Sequence, residues 1–160
     1  MAGENREAIS VVRPEHERAA QKAKDRFLSG YNCAEAVLLS ALELLGVDGD
    51  WAPRVASGFG GGMARTCQVC GAITGALMAA GWSRGRDSES GDIDELYAIG
   101  ASLVDDFVSR FGTSSCRMLI DIDLADPEQR EKAASAGVFA DQCTRYIEFC
   151  TLNIAGKLDA

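Results

Sequence analysis

Residues 57–81 read SGFGGGMARTCQVCGAITGALMAAG and join a glycine-rich loop, a Cys-x-x-Cys pair and a run of small residues. Because glycine adopts positive φ and lets the backbone approach another group closely, we expect the loop to make a tight turn. In the run of small residues, Gly71, Gly75 and Ala79 recur every four positions, which places them on one face of a helix. That face carries little side-chain bulk, so we expect neighbouring helices to pack closely against it.

The composition is typical of one globular domain. The chain has 160 residues, of which 47% are hydrophobic and 25% charged, and this length is enough to bury a core. We expect a flexible N-terminal arm over residues 1–13 and a single helical domain over residues 14–160. The arm is polar and lacks the hydrophobic core of a secretion signal, so the sequence predicts a cytoplasmic protein.

Charge and hydropathy argue against two classes of partner. The formal net charge is -8 at pH 7, which would repel a phosphate backbone, so we expect no nucleic-acid partner. The longest apolar run, residues 71–82, is too short to span a bilayer. We therefore expect no membrane segment either.

Helical patterns flank the opening stretch on both sides. Asn32 is a good N-cap for an apolar helix, and Gly112 can end the long helix that precedes it. The main predicted helices span about residues 14–29, 33–46, 70–80, 92–111 and 138–156, with shorter helical segments near 51–56, 116 and 126. No run of residues shows the alternation of a strand. The sequence therefore predicts an all-α fold, a compact bundle of about five to six helices around the small-residue helix.

Three of the six cysteines share one local setting. Cys33, Cys70 and Cys116 each follow a polar or glycine-rich turn and fall in the predicted first turn of a helix. Helix N-termini carry partial positive charge, which stabilises thiolates for redox chemistry or for metal ligation. Cys143, on the apolar stripe of the last helix, offers a fourth sulfur. Four thiolates suit a tetrahedral zinc site or an iron–sulfur cluster, and their spacing does not choose between the two.

The remaining candidates carry weaker functional signals. Cys150 lies seven residues after Cys143 on the same apolar stripe, which is typical of a small core residue. Cys67 with Cys70 forms a Cys-x-x-Cys pair, but the βαβ context of a thioredoxin-like dithiol is missing. His16, near the polar start of the first helix, is expected to be solvated rather than catalytic.

Four cysteine-containing segments occur in a fixed order along the chain. They are YNCAEAVLLSALELLG around Cys33, ASGFGGGMARTCQVCGAITGALMAAG around Cys70, SSC at Cys116 and DQCTRYI around Cys143. Together they resemble the family of redox-active proteins named for its C_GCAxxG_C_C cysteine pattern, over about residues 15–158. The chain departs from the pattern in reading Val-Cys-Gly-Ala where the family name has Gly-Cys-Ala, and it carries Cys67 and Cys150 as extra cysteines.

The resemblance implies that Cys33, Cys70, Cys116 and Cys143 are the shared cysteines. A similar domain occurs in split-Soret cytochrome c beside a labile iron–sulfur centre, so the resemblance also implies cluster binding. The sequence contains no Cys-x-x-Cys-His motif, and covalent haem is therefore not supported.

These features lead to three functional hypotheses. The leading one is a redox or electron-transfer protein in which Cys33, Cys70, Cys116 and Cys143 converge between helices to hold an iron–sulfur cluster, with Cys67 as a spare or exchanging ligand. The second is a metal-free thiol–disulfide protein or sensor that uses the same cysteines. The third is a structural zinc module. The residues do not decide between an oxidoreductase and an electron carrier. We expect an unidentified redox partner, and the small-residue face also allows a homodimer.

Overall fold

The computed structural model describes residues 12–159 and is all-helical over that range. Its helices are α1 (Pro14–Leu28), α2 (Cys33–Leu44), α3 (Ala52–Ala56), α4 (Gly71–Arg84), α5 (Asp94–Phe111), α6 (Cys116–Ile120), α7 (Pro127–Ser135) and α8 (Thr144–Leu158). A 3₁₀ turn (Ser57–Phe59) follows α3, and a π-helical turn (Phe139–Cys143) leads into α8.

The predicted all-α class is confirmed, but eight helices in the described residues exceed the predicted five to six. The difference lies in the short helices α3, α6 and α7, which correspond to the short helical segments expected near residues 51–56, 116 and 126. Of these, α3 and α6 have five residues each. Residues 1–11 of the predicted arm, and residue 160, lie outside the described residues.

Local capping determines where α2 begins. The side chain of Asn32 accepts a hydrogen bond from the Glu35 N–H, and the Glu35 carboxylate accepts one from the Asn32 N–H. This reciprocal arrangement is a capping box, which satisfies two backbone donors that the helix leaves free. It places Cys33 at the first helical residue, as the sequence predicts.

The other candidate cysteines also lie at helix starts. The hydroxyl of Ser115 accepts a hydrogen bond from the Met118 N–H, so α6 begins at Cys116. Helix α4 begins at Gly71, one residue later than expected, so Cys70 is its N-cap residue rather than a member of its first turn. Cys143 ends the π-helical turn and directly precedes α8.

Helix α4 packs against α2, α5 and α8, and its small residues allow α2 to approach closely. A Cβ atom added to Gly75 would lie 2.5 Å from the carbonyl oxygen of Ala34, so only glycine fits there without moving the backbone. Ala72, Ile73 and Ala76 are fully buried in the same helix. The close packing predicted for the small-residue face is confirmed.

The glycine-rich loop forms a left-handed turn. Five consecutive residues, 61–65, have positive φ angles between 54° and 69°, and three of them are not glycine. A left-handed conformation costs a non-glycine residue roughly 1–2 kcal/mol. The turn is held by hydrogen bonds from Ala64 N–H to Gly58 O and from Gln68 N–H to Gly62 O, both 2.8 Å long. A Cβ on Gly62 would lie 2.7 Å from Cys116 Cβ, so the turn packs directly against the start of α6.

The start of α1 packs against the end of α8, which corrects one expectation. His16 is only 2% exposed, and its Nε2 atom pairs with the carboxylate of Asp159. The prediction of a solvated His16 is wrong, because a polar sequence around a residue does not show which distant helix covers it. Among residues 12–159, no helix combines the length and apolarity needed to cross a membrane.

Candidate functional site

The structure brings the side chains of four candidate cysteines to one cavity of about 650 Å³. Cys33, Cys70, Cys116 and Cys143 all line it, although they begin or precede four different helices. The described lining residues include neither Cys67 nor Cys150. The remainder of the wall is largely aromatic, aliphatic and basic, with Phe27, Leu119, Phe139, Tyr146, Arg65 and Arg130 among its members.

Cys33 sits where two helix starts and the left-handed turn meet. A Cβ atom added to Gly71, the first residue of α4, would overlap the sulfur of Cys33. Backbone N–H groups of Gly61, Ala34 and Gly71 lie close enough to this sulfur to lower the pKa of the thiol. Because Gly61 belongs to the left-handed turn, the turn, α2 and α4 all place backbone N–H groups near one sulfur atom.

Burial dominates the acidity of these thiols. Desolvation raises the pKa of Cys33 above its ordinary value, and the surrounding N–H groups oppose this increase without cancelling it. Burial raises the pKa of Cys70 still further, helped by the negative charge that Cys33 would carry. The pKa of Cys116 rises to about 12, again mainly through burial and then through Cys33.

Cys143 follows the same trend, since burial raises its pKa and the charge of Cys33 adds to the effect. The expectation that helix N-termini stabilise Cys33, Cys70 and Cys116 as thiolates is wrong for the free side chains. The loss of hydration outweighs the helix dipole and the N–H donors. At neutral pH these thiols are protonated, and a bound cation or cluster would displace their protons.

The cysteine side chains of the cavity are candidate ligands for a metal group. Among residues 12–159, no three His, Cys, Asp or Glu side chains are placed to hold a single metal ion. A structural zinc ion needs four ligands at about 2.0–2.3 Å from one point. A cluster distributes its thiolate ligands over several iron atoms, and four cysteine thiols are its usual donor set. The chemistry of four cysteine thiols fits either group.

A comparison with protein families identifies the chain. The family model described as "Putative redox-active protein (C_GCAxxG_C_C)" matches residues 31–156. The chain belongs to this family. The matched range contains all six cysteines, and the resemblance noted from the sequence is confirmed. No curated protein and no solved structure matches the chain.

Cys67, one of the two cysteines outside the family pattern, faces away from the cavity. Its side chain is 4% exposed, and its sulfur accepts a hydrogen bond from the Leu124 N–H at 3.3 Å. The Cys67 thiol itself donates to the backbone oxygens of Ile122 at 3.6 Å and Arg65 at 3.9 Å, and it lies close enough to Cys116 to raise the pKa of that thiol. The backbone supports this proximity, because Arg117 N–H donates to Cys67 O at 3.2 Å. The Cys-x-x-Cys spacing suggested Cys70 as the partner of Cys67, whereas the structure also places the backbone of Cys67 beside Cys116.

The second cysteine outside the C_GCAxxG_C_C pattern, Cys150, is fully buried in the hydrophobic core. Burial raises its pKa well above the ordinary value. The expectation of a small core residue is confirmed for Cys150.

Sequence reasoning missed several residues of the cavity wall. Tyr146 follows Cys143 by three positions, so helical periodicity alone was enough to place it beside that cysteine. Its hydroxyl donates a hydrogen bond to Leu119 O at 3.1 Å, which ties α8 to α6. Arg65 and Arg130 gave no such signal, because their approach to the cavity depends on the left-handed turn and on the tertiary placement of α7.

Proposed function

We propose that this member of the redox-active family is an electron carrier whose iron–sulfur cluster is held by Cys33, Cys70, Cys116 and Cys143. The observation that carries the proposal is the meeting of these four side chains at one cavity, from four separate helix starts. Family membership supports redox chemistry. The softness of thiolate sulfur favours iron–sulfur clusters over hard cations.

The residues around the cavity have distinct tasks in this function. When bound, the cluster supplies one-electron chemistry. The N–H groups of Gly61, Ala34 and Gly71 stabilise negative charge on the Cys33 sulfur, and hydrogen bonds to a ligand sulfur tune a reduction potential. Tyr146 and Phe139 cover part of the cavity wall and limit the access of water. The four thiols release their protons as they become ligands.

Replacement of single cysteines tests the ligand set. We expect Cys33→Ser, Cys70→Ser, Cys116→Ser and Cys143→Ser each to lower the iron bound per chain and to weaken the visible absorption of protein purified without oxygen, because each removes one soft donor. Cys150→Ala is the matched control, since Cys150 is a buried core cysteine that is not among the described lining residues, and it should keep the wild-type iron content. If Cys150→Ala lost as much iron as the four serine variants, the proposed ligand set would be wrong.

A second candidate function is metal-free thiol–disulfide exchange, and the proximity of Cys67 to Cys116 favours it. In this reaction the two thiols give up two protons and two electrons and form one S–S bond. A low-molecular-weight disulfide accepts them and leaves as two thiols. Because Cys116 lines the cavity, the new bond would also withdraw one sulfur from the proposed ligand set.

Peptide mapping after oxidation tests this second function. We expect oxidised glutathione to link Cys67 to Cys116, with the loss of the mass of two hydrogen atoms and reversal by dithiothreitol. Cys67→Gly should abolish the link, and it suits the backbone because φ at Cys67 is 60°. A bond between Cys67 and Cys70, or no bond at all, would contradict this pairing.

A further inference from the structure

The cavity is lined by positive charge although the protein is acidic. The chain has 24 Asp and Glu residues against 16 Lys and Arg residues. The described residues that line the cavity include Arg65 and Arg130 but no Asp, Glu or Lys. The charge at this site is thus opposite in sign to the net charge of the chain, and the cavity favours anions over cations.

The two arginines lie at the same end of the cavity. The guanidinium of Arg130 donates a hydrogen bond to Leu124 O at 2.6 Å. A Cβ on Gly61 would lie 3.2 Å from Arg65 Cγ and 3.4 Å from Leu124 Cδ1, so the Arg65 stem and the Leu124 side chain both lie beside Gly61 of the left-handed turn. Leu124 is thus a neighbour of this turn and of Arg130.

Neither arginine is neutralised by a carboxylate within residues 12–159. The ion pairs of that part of the chain involve other basic residues. Arg65 is exposed, and Arg130 is half-buried. Two guanidinium groups that lack a carboxylate partner at the edge of a cavity retain donors for an incoming anion.

The remainder of the wall suits an apolar body. Phe27 and Phe139 line the cavity together with Leu119 and Ile120. The volume of about 650 Å³ falls within the range of roughly 300–1,000 Å³ that is usual for small-molecule sites, which combine apolar walls with a few polar anchors.

We propose that the cavity binds a small organic carboxylate, with the carboxylate on Arg65 and Arg130 and the apolar part against Phe27 and Phe139. Guanidinium groups bind carboxylates through paired, charge-assisted hydrogen bonds, which favour the anion over a neutral analogue of the same shape. This site uses arginines and apolar side chains, whereas the proposed cluster ligands are cysteines. It adds the binding of an organic molecule beside the cysteines to the proposed electron transfer.

A matched pair of ligands tests this proposal by calorimetric titration. 2-Naphthoate and 2-naphthamide have the same shape and differ in charge. We expect protein purified without oxygen to bind the carboxylate about tenfold more tightly than the amide, as expected for charge-assisted hydrogen bonds. R65Q/R130Q should remove this preference, and R65K/R130K, which keeps both charges, should retain part of it.

The control is R110Q/R145Q, which changes the net charge equally at two exposed arginines that are not among the described lining residues. It should leave the preference unchanged. Because the Arg130 guanidinium donates a hydrogen bond to Leu124 O, the folding of each variant is checked by circular dichroism. If the double variant unfolds, R65Q alone is tested instead. Its expected effect is a smaller preference.

Three results would overturn the proposal: equal binding of the two compounds, no binding of either, or an equal loss of preference in the control variant. Iron and sulfide measured on the same samples report separately on the cluster. The two proposals can therefore fail independently.

Discussion

Gly71 shows how a single missing side chain shapes the site. A Cβ atom there would overlap the sulfur of Cys33, so Gly71→Ala must displace Cys33 or separate α2 from α4. We expect this substitution to destabilise the protein by about 1–3 kcal/mol, the usual cost of overpacking, and to lower its iron content. Urea unfolding and iron analysis measure the two effects.

Gly81→Ala is the matched control for that prediction. Gly81 belongs to the same helix, and nothing lies within 4 Å of a Cβ added there. Alanine is the better helix former, so this variant should be as stable as the wild type or more stable by about 0.4–1 kcal/mol. If the two variants lost stability equally, crowding at Cys33 would not be the cause.

Individual residues also show what the sequence could and could not reveal. The capping box of Asn32 and Glu35 is a local pattern, so the start of α2 could be predicted. The burial of His16 depends on Asp159, which is distant in the sequence, and no local pattern showed it. The acidity of the cysteine thiols was misjudged for the same reason: their position at helix starts was local information, while their burial came from the whole fold.

At the scale of elements, Asp106 links α5 to α8. Its carboxylate accepts hydrogen bonds from Asn153 Nδ2 at 2.9 Å and from Lys157 Nζ at 2.8 Å. The hydrogen bond from Asn153, followed by that from Lys157, lowers the pKa of Asp106 below its ordinary value. Its side chain is 46% exposed, so solvent screens the ion pair and we expect a contribution of only about 0.5–1 kcal/mol.

The pH dependence of Asp106→Asn follows from the sign of this shift. Because the folded pKa is lower than the unfolded one, the stabilisation is fully present above the unfolded pKa of about 3.9 and is lost as the pH falls through the folded pKa. The variant should be less stable than the wild type at pH 7, and the gap should close in acid. Urea unfolding at several pH values measures it. Asp105→Asn, at an exposed neighbour, should show no such gap, and a gap that persisted in acid would contradict the account.

The elements themselves were predictable to different degrees. The small-residue pattern of α4 predicted its close packing, because spacing of four residues defines a helix face. The left-handed turn was not predictable beyond its glycines. Met63, Ala64 and Arg65 also adopt positive φ, and they do so because hydrogen bonds within the folded loop hold them there. This backbone conformation places Arg65 at the cavity, and residue propensities do not predict that position.

For the whole molecule, the main feature is the convergence of distant helix starts. Cys33 and Cys143 lie 110 positions apart in the sequence, yet both line the same cavity. Their local sequence and the family resemblance identified them as candidates. Only the packing of the helices shows that they line the same cavity. Their role as ligands stays a prediction, as do the homodimer and the cytoplasmic location.

Iron and acid-labile sulfide analysis of protein purified without oxygen, with an absorption spectrum, tests the central claim most directly. The account predicts iron and sulfide in comparable amounts, with visible absorption that is lost when the cysteines of the cavity are replaced. Protein that contained neither iron nor sulfide, even after anaerobic reconstitution, would contradict the proposed cluster and leave thiol–disulfide exchange through Cys67 and Cys116 as the function to pursue.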